Sequence, residues 1–303
     1  MNSLQKGIVF VSISAVVYGV TPTLTRIAYD EGTNSVTVAF LRAFLALPFL
    51  FMIMKIQKIP FATSAAEKRD LALAGLAIGA TSVLLYSSYN YIPVGEATTL
   101  FYIYPALVSL SCVLFYKEKL TKTIITALSM SFAGVLLVSE NLSFKNVGSG
   151  GLTGFLLALA SGFTFAFHVV YVDKSSLRRI PAPKITFAIC VMAALTSGIY
   201  GGSRFGGGLS FDLSPKGWVY ACVVALFGSL VAIVLLQAGI KYTGATTAAI
   251  ISTLEPITSV LCGAIFLGEN LSLPKVIGCA CIVASVILVT TAGGATFTGT
   301  APS

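Results

Sequence analysis

Few side chains in this sequence combine ionisable chemistry with an apolar neighbourhood. Glu255 stands in Leu254-Glu255-Pro256, Arg42 in Phe40-Leu41-Arg42-Ala43-Phe44, and His168, the single histidine, follows Phe167 and precedes Tyr171. An isolated carboxylate of this kind faces a partner, binds a cation or carries a proton. A guanidinium holds an anionic group with a fork of donors, and an imidazole binds ligands or relays protons. Tyr18, Tyr86, Tyr89, Tyr102 and Tyr104 add aromatic bodies with hydroxyl tips, which suit amphipathic or ring-bearing solutes. Thr21, Asn90, Gln237, Ser252, Thr258 and Ser259 add neutral polar groups. This is the chemistry of binding rather than of bond breaking. The sequence offers no paired carboxylates among its apolar runs, no histidine-containing metal set and no GxSxG elbow. An enzyme is therefore the weaker reading, and neither cofactor nor metal is expected. The cysteines, 112, 190, 222, 262, 279 and 281, include no CxxC pair and read as small apolar packing residues.

These residues are positioned by a series of apolar runs. Hydrophobic residues make up 56% of the 303 positions and charged residues 10%, against about 25% charged in soluble domains. A globule of this size cannot hide so much apolar surface from water, so lipid is the expected solvent. The runs are continuous and close to the roughly 20 residues that a membrane helix needs, and they lack the alternation of a membrane barrel. The spacing predicts helices over 7–28, 35–56, 70–90, 95–116, 122–139, 151–173, 184–202, 216–240, 244–267 and 273–292. The first run follows Lys6 and leads into Thr21-Pro22-Thr23 rather than a small-residue cleavage site, so it reads as a retained helix. The glycine-rich stretch 201–208 reads as a flexible loop, and 292–303 as a disordered tail.

The net charge of +8 reflects sidedness rather than nucleic-acid binding. With the N-terminus in the cytoplasm, thirteen cations fall on the inner side, from Lys6 to Lys241, and four on the outer side: Lys145, Arg204, Lys216 and Lys275. Basic residues gather in cytoplasmic loops, which places both termini in the cytoplasm and the chain in the inner membrane.

On this scaffold Glu255 falls about eleven residues from either end of its helix, roughly 16 Å deep. It either contacts substrate or protons, or bonds a neighbouring helix beside Pro256. Ser252, Glu255 and Ser259 recur as one helical stripe, and Tyr86, Tyr89 and Asn90 share a face at i, i+3, i+4. Tyr89 and Tyr91 also fit an interfacial aromatic belt. Arg42, roughly 12 Å into its helix, either anchors an anion or pairs with carbonyls or an acid such as Glu96. His168 is either a ligand or a satisfied packing residue. Pro105 and Pro256 bend their helices near the midplane and read as hinges. Glu118 and Glu269 precede the cap residues Thr121 and Ser272 and read as loop structure.

The chain also repeats. A shift of 151 residues overlays Pro105 on Pro256, Phe115 on Phe266, Glu118 on Glu269 and Leu120 on Leu271. Two halves, 1–144 and 145–303, then hold five helices each; an odd number makes the second half inverted, the architecture of alternating-access transporters. Tyr104-Pro105 with Lys117-Glu118-Lys119-Leu120, Leu254-Glu255-Pro256 with Leu267-Gly268-Glu269-Asn270-Leu271, and Phe40-Leu41-Arg42-Ala43-Phe44 together resemble the EamA-type members of the drug/metabolite transporter superfamily, over roughly 7–292. Lys117 stands where that family often has glycine, and Tyr18-Gly19 where it often has Trp-Gly. The resemblance implies a ten-helix, all-α transporter, with small metabolites, amino acids foremost, as substrates and export as the direction. Uptake or exchange of a purine or amine, and lipid handling, are the alternatives. The expected partners are membrane lipid and a small molecule, and the expected state a monomer, with a dimer as the alternative.

Overall fold

The structure, a computed structural model, describes residues 1–119, 121–139, 151–203, 208–268 and 270–296. Among these residues every regular element is helical. Among the described residues nine helical spans are long and apolar enough to cross a membrane, four of them made of two consecutive helices, and Lys122–Val138 is a shorter apolar helix. In chain order the helices are α1 (Ser3–Asp30), α2 (Ser35–Phe44), α3 (Ala46–Ile56), α4 (Ala65–Ser88), α5 (Val94–Phe101), α6 (Tyr104–Tyr116) and α7 (Lys122–Val138). Then come α8 (Gly151–Lys174), α9 (Ala182–Gly202), α10 (Pro215–Val224), α11 (Ala232–Thr243), α12 (Ala245–Ile251), α13 (Leu254–Leu267) and α14 (Leu273–Thr296). Exposed apolar side chains such as Phe115 (76%), Ile199 (74%) and Ile265 (73%) suit hydrocarbon, not water.

Three of the predicted helices are each broken in two, and each break has a proline just after it. Proline lacks an N–H and its ring collides with the carbonyl four residues back. Pro48 follows the interruption at Leu45, Pro105 that at Tyr102-Ile103, and Pro256 that at Ser252-Thr253. A fourth predicted helix stays continuous, but Ala225–Val231 between α10 and α11 winds as a π-helix. Gly228-Ser229 sits in that turn, a small pair of the kind found at helix distortions. Pro22 lies within α1 without breaking it.

Helix ends also correct the sequence reading. Ser64 and Glu67 form a reciprocal capping box, so α4 starts at Ala65 and the 67–70 charge run is helical. It ends at Ser88, leaving Asn90 in the following turn. Gly201 and Gly202 belong to α9, and α14 continues to Thr296; 204–207 and 297–303 lie outside the described residues. Thr121 caps α7 as expected, its hydroxyl accepting from the Ile124 N–H. Helix α6 ends at Lys117 with φ 56° and α13 at Gly268 with φ 66°. Those positions are 151 residues apart, and a left-handed cap favours glycine, which Gly268 supplies and Lys117 does not.

Small residues bring the helices together, as is usual where lipid supplies no hydrophobic drive. Helix α7 meets α14 at Gly134 and Gly278: a Cβ at Gly278 would stand 2.6 Å from the Gly134 carbonyl oxygen. Helix α4 meets α9 where Gly75 and Gly79 face Met192 and Thr196. Helix α1 packs mainly on α11 and α13, and α12 lies wholly inside, all seven of its residues buried.

Two outcomes follow for stability. Gly278→Leu should cost about 1–3 kcal/mol by overpacking, read as a lower Tm in detergent. Lys117→Gly should stabilise by roughly 0.5–1 kcal/mol, since it relieves a left-handed non-glycine residue, and the same melt measures it.

Candidate functional site

The breaks set where the polar side chains meet. Because the ninth predicted helix splits at Ser252-Thr253, Glu255 lies in the first turn of α13 rather than mid-helix, where the positive end of the helix dipole favours a carboxylate. Ser252 belongs to the turn, so the continuous Ser252–Glu255–Ser259 stripe is interrupted. Arg42 lies in the last turn of α2, the end that favours a cation. The two charges come from opposite ends of different helices and face one interior region.

Arg42 is held by hydroxyls. Its Nε donates to Ser229 Oγ at 3.2 Å and its Nη1 to the Tyr86 hydroxyl at 3.3 Å. Among the described residues neither Glu96 nor a carbonyl is bonded to it. Ser229, 1% exposed, is presented by the π-turn. Tyr86 lies edge-on to Tyr89, with ring centroids 5.6 Å apart. The Tyr102 hydroxyl interacts with the Glu255 carboxylate, and the Tyr104 hydroxyl with Ser252. Tyr18 lies within electrostatic reach of Arg42, Glu255 and Tyr86 at once.

Gly19 explains how Tyr18 arrives there. A Cβ at that position would stand 2.5 Å from the Glu255 carbonyl oxygen, so only glycine lets α1 approach α13 so closely. Glu255 and Arg42 feel each other's charge, yet no ion pair within 4 Å joins them among the described residues. Tyr18, Arg42, Tyr86, Tyr89 and Glu255 each remain half-buried, while Tyr102 and Tyr104 are buried beneath them.

Other expected site residues stand apart. Asn90 is exposed beyond the end of α4, because the helix whose spacing would have aligned it with Tyr86 has stopped. His168 is fully enclosed, its Nδ1 3.0 Å from the Ala74 carbonyl oxygen and its Nε2 2.9 Å from Gln237 Nε2. The ring therefore donates to Ala74 and accepts from the Gln237 amide, joining α4, α8 and α11. Phe165 links it at one remove to Tyr104, with centroids 4.7 Å apart. Thr21 bonds the Val17 carbonyl of its own helix and touches Gly228. Thr258 bonds the Leu254 carbonyl in the same way, and Ser259 is half-buried on α13. Glu118, expected to be only loop structure, pairs with Lys174; Glu269 lies outside the described residues. Sequence reasoning missed Ser229, for which the Gly228-Ser229 pair inside an apolar run is the only signal, and Pro48 as a break.

Among the described residues the broken helices bring an acid and a base, not joined to each other, among tyrosines, an arrangement suited to holding a solute. The EamA-like transporter family model matches this chain twice, over residues 5–140 and 152–291, and the chain belongs to that family. It is 27% identical over 295 residues to an uncharacterized transporter of Archaeoglobus fulgidus, covering 94% of this chain and 96% of that one. It is 26% identical to the uncharacterized transporter YcbK of Bacillus subtilis, over 90% and 89% of the two chains. The uncharacterized inner membrane transporter YedA of Escherichia coli is 25% identical, over 84% and 79%. A solved crystal structure superposes with a TM-score of 0.77 at 15% identity, covering 96% of this chain and 98% of that one, and so shares the fold. The protein is a multi-pass membrane transporter of the EamA type.

The bonding around His168 sets a test. His168→Ala should cost about 2 kcal/mol, because it strands the buried Ala74 carbonyl and Gln237 amide, and should appear as a lower Tm. A variant with unchanged Tm would place the ring outside the packing role assigned to it.

Proposed function

We propose that the protein moves small zwitterionic metabolites, amino acids foremost, across the cytoplasmic membrane by alternating access, with export as the working direction. One observation carries this reading: Arg42 and Glu255 face the same interior region and, among the described residues, form no ion pair with each other. A buried charge is costly unless paired, and a ligand bearing a carboxylate and an ammonium supplies both missing partners. The carboxylate would take the Arg42 donors not engaged by Ser229 and Tyr86. The ammonium would lie on Glu255 beside the Tyr102 hydroxyl. Tyr18, Tyr86 and Tyr89 would line the remaining space with aromatic surface. A sugar phosphate would call for more cations than this site offers.

The scaffold belongs to the same proposal. The chain would form ten membrane helices in two inverted five-helix repeats, 1–144 and 145–303, with α7 as the short tenth helix and both termini cytoplasmic. The double match of the family model and the paired caps at Lys117 and Gly268 support the duplication. The breaks beside Pro105 and Pro256 would act as hinges around the site. Thr21, Asn90, His168, Gln237, Ser252 and Ser259 complete the set first assigned to the site; of these only Ser252 lies beside the tyrosines, and the others would serve indirectly. The working state is a monomer.

A thermal-shift screen of the purified protein against amino acids, purines, amines and organic acids tests the substrate. A true ligand at a hundred times its Kd stabilises by about 2.7 kcal/mol. Amino acids should raise the Tm, and Glu255→Gln and Arg42→Ala should each abolish the rise. A shift from amines that survives Arg42→Ala would sink the zwitterion. For topology, cysteines placed at 91–95 should label from outside and those at 241–244 from inside; the reverse pattern would break the inverted arrangement.

A further inference from the structure

The end of the molecule richest in lysine is closed by a charged cluster in which the proposed substrate site takes no part. Asp173, 3% exposed, lies near the end of α8. Its Oδ2 accepts from the Ala245 backbone N–H at 3.2 Å and pairs with Lys174 Nζ at 3.0 Å, and its Oδ1 is 3.4 Å from Arg178. The positive φ of Gly244, 79°, turns the chain so that the first N–H of α12 reaches this carboxylate. Lys174 then crosses to the other half of the chain. It pairs with Glu118 Oε1 at 2.5 Å and lies 5.6 Å over the Tyr116 ring. Glu118 Oε2 is 3.5 Å from the Thr246 hydroxyl. The α6–α7 connection, the end of α8 and the start of α12 are thereby tied together. Beneath the tie sits Cys112 of α6, 1% exposed and against Thr246.

Packing differs on the two sides of the helix breaks. Behind the cluster α12 is buried throughout and packs on α6 and α8. Beyond the breaks α13 packs on α1 and α14 while α5 packs on α8 and α4, and Leu254, Glu255, Ile257, Thr258 and Ser259 are half-buried. The cluster end is thus packed around a wholly buried α12, while α13 beyond the break is only partly buried.

The chemistry of the cluster suits a tie that opens. Asp173 is the deeply buried charge, and it keeps Lys174, Arg178 and the Ala245 N–H whatever Glu118 does. The Glu118 side chain is 37% exposed, so on leaving Lys174 it returns to water. Parting this one pair strands no buried charge, whereas parting a wholly buried pair would.

We propose that Glu118 and Lys174, with Thr246, form a latch that holds the lysine-rich end closed and parts when the opposite-facing state forms. The proposal rests on the alternating-access reading, but its test needs no substrate. Purified full-length protein in detergent is alkylated with N-ethylmaleimide, and the rates at Cys112 and Cys190 are read by peptide mass spectrometry. Cys190, also 1% exposed, packs with Ala46 and Leu50 away from the latch and reports general loosening.

Glu118→Gln should speed Cys112 alkylation by about tenfold, within the usual range of conformational coupling, and leave Cys190 unchanged. Thr246→Val, which alters no charge, should act in the same direction and less, and carries the test where Glu118→Gln fails to fold. Cys112 rates unchanged in the folded variants, or Cys112 and Cys190 rising together, would overturn the latch. Selective opening at Cys112 in a protein that moves no amino acid into liposomes would uphold the latch and count against the substrate reading alone.

Discussion

A peptide group in hydrocarbon has only the rest of the protein for a hydrogen-bond partner, and this constraint decides where an EamA-type chain can interrupt its helices. The interruptions at Leu45, Tyr102-Ile103 and Ser252-Thr253 would be costly facing lipid. They are instead resolved locally, and Tyr102, Ser252 and Thr253 are buried as well. The Thr253 hydroxyl bonds the Ile250 carbonyl at 2.6 Å, the Glu255 N–H bonds the Ser252 carbonyl at 3.1 Å, and the Tyr102 N–H is shared between the Thr98 and Thr99 carbonyls. The Phe101 carbonyl lies against Gly162 of α8, where a Cβ would come within 3.0 Å of its oxygen. Polar side chains gather at these places because they are where the backbone already needs polar company.

The treatment of charge divides the molecule. Near the lysine-rich end the buried acids have close partners: Asp70 takes hydrogen bonds from Ser176 and Tyr171 at 2.6 and 2.8 Å, and Asp173 Oδ2 takes Lys174 and a backbone N–H while its Oδ1 has only the charge of Arg178 at 3.4 Å. In the interior Arg42 and Glu255 are supported by hydroxyls and helix ends instead of by each other. The chain is therefore able to set cations beside a buried carboxylate. The separation of the central pair is a local feature, made by the π-turn that offers Ser229 to Arg42 and by the break that starts α13 just before Glu255.

Much of this was legible in the residues because it depends on local pattern. Apolar run length located the helices, and Pro105 and Pro256 marked their breaks. Pro48 was overlooked because it lies within an apolar run with no polar residue to draw attention to it. The π-turn was hidden for a related reason: an extra residue per turn leaves hydropathy unchanged, and only Gly228-Ser229 hints at it. Partnerships across the chain left no local trace. His168 finds Ala74 and Gln237, 94 and 69 residues away, and Glu118 finds Lys174, 56 residues on. Asn90 was misplaced because a helical spacing argument holds only while the helix lasts. The charges of the central site were readable as oddities in apolar runs; that they share one region required the fold.

Helix α12 has only seven residues, Ala-Thr-Thr-Ala-Ala-Ile-Ile, and no face turned to lipid or water. Most of its surroundings, α6, α8 and α11 among them, precede it in the chain, and α14, which follows it, packs on it as well. During synthesis most of the slot it fills is made before α12 emerges, and its last wall, α14, is made after it. The order of biogenesis is in this sense written into its burial. An error in the packing of its neighbours would leave a short segment of small residues with nowhere to settle.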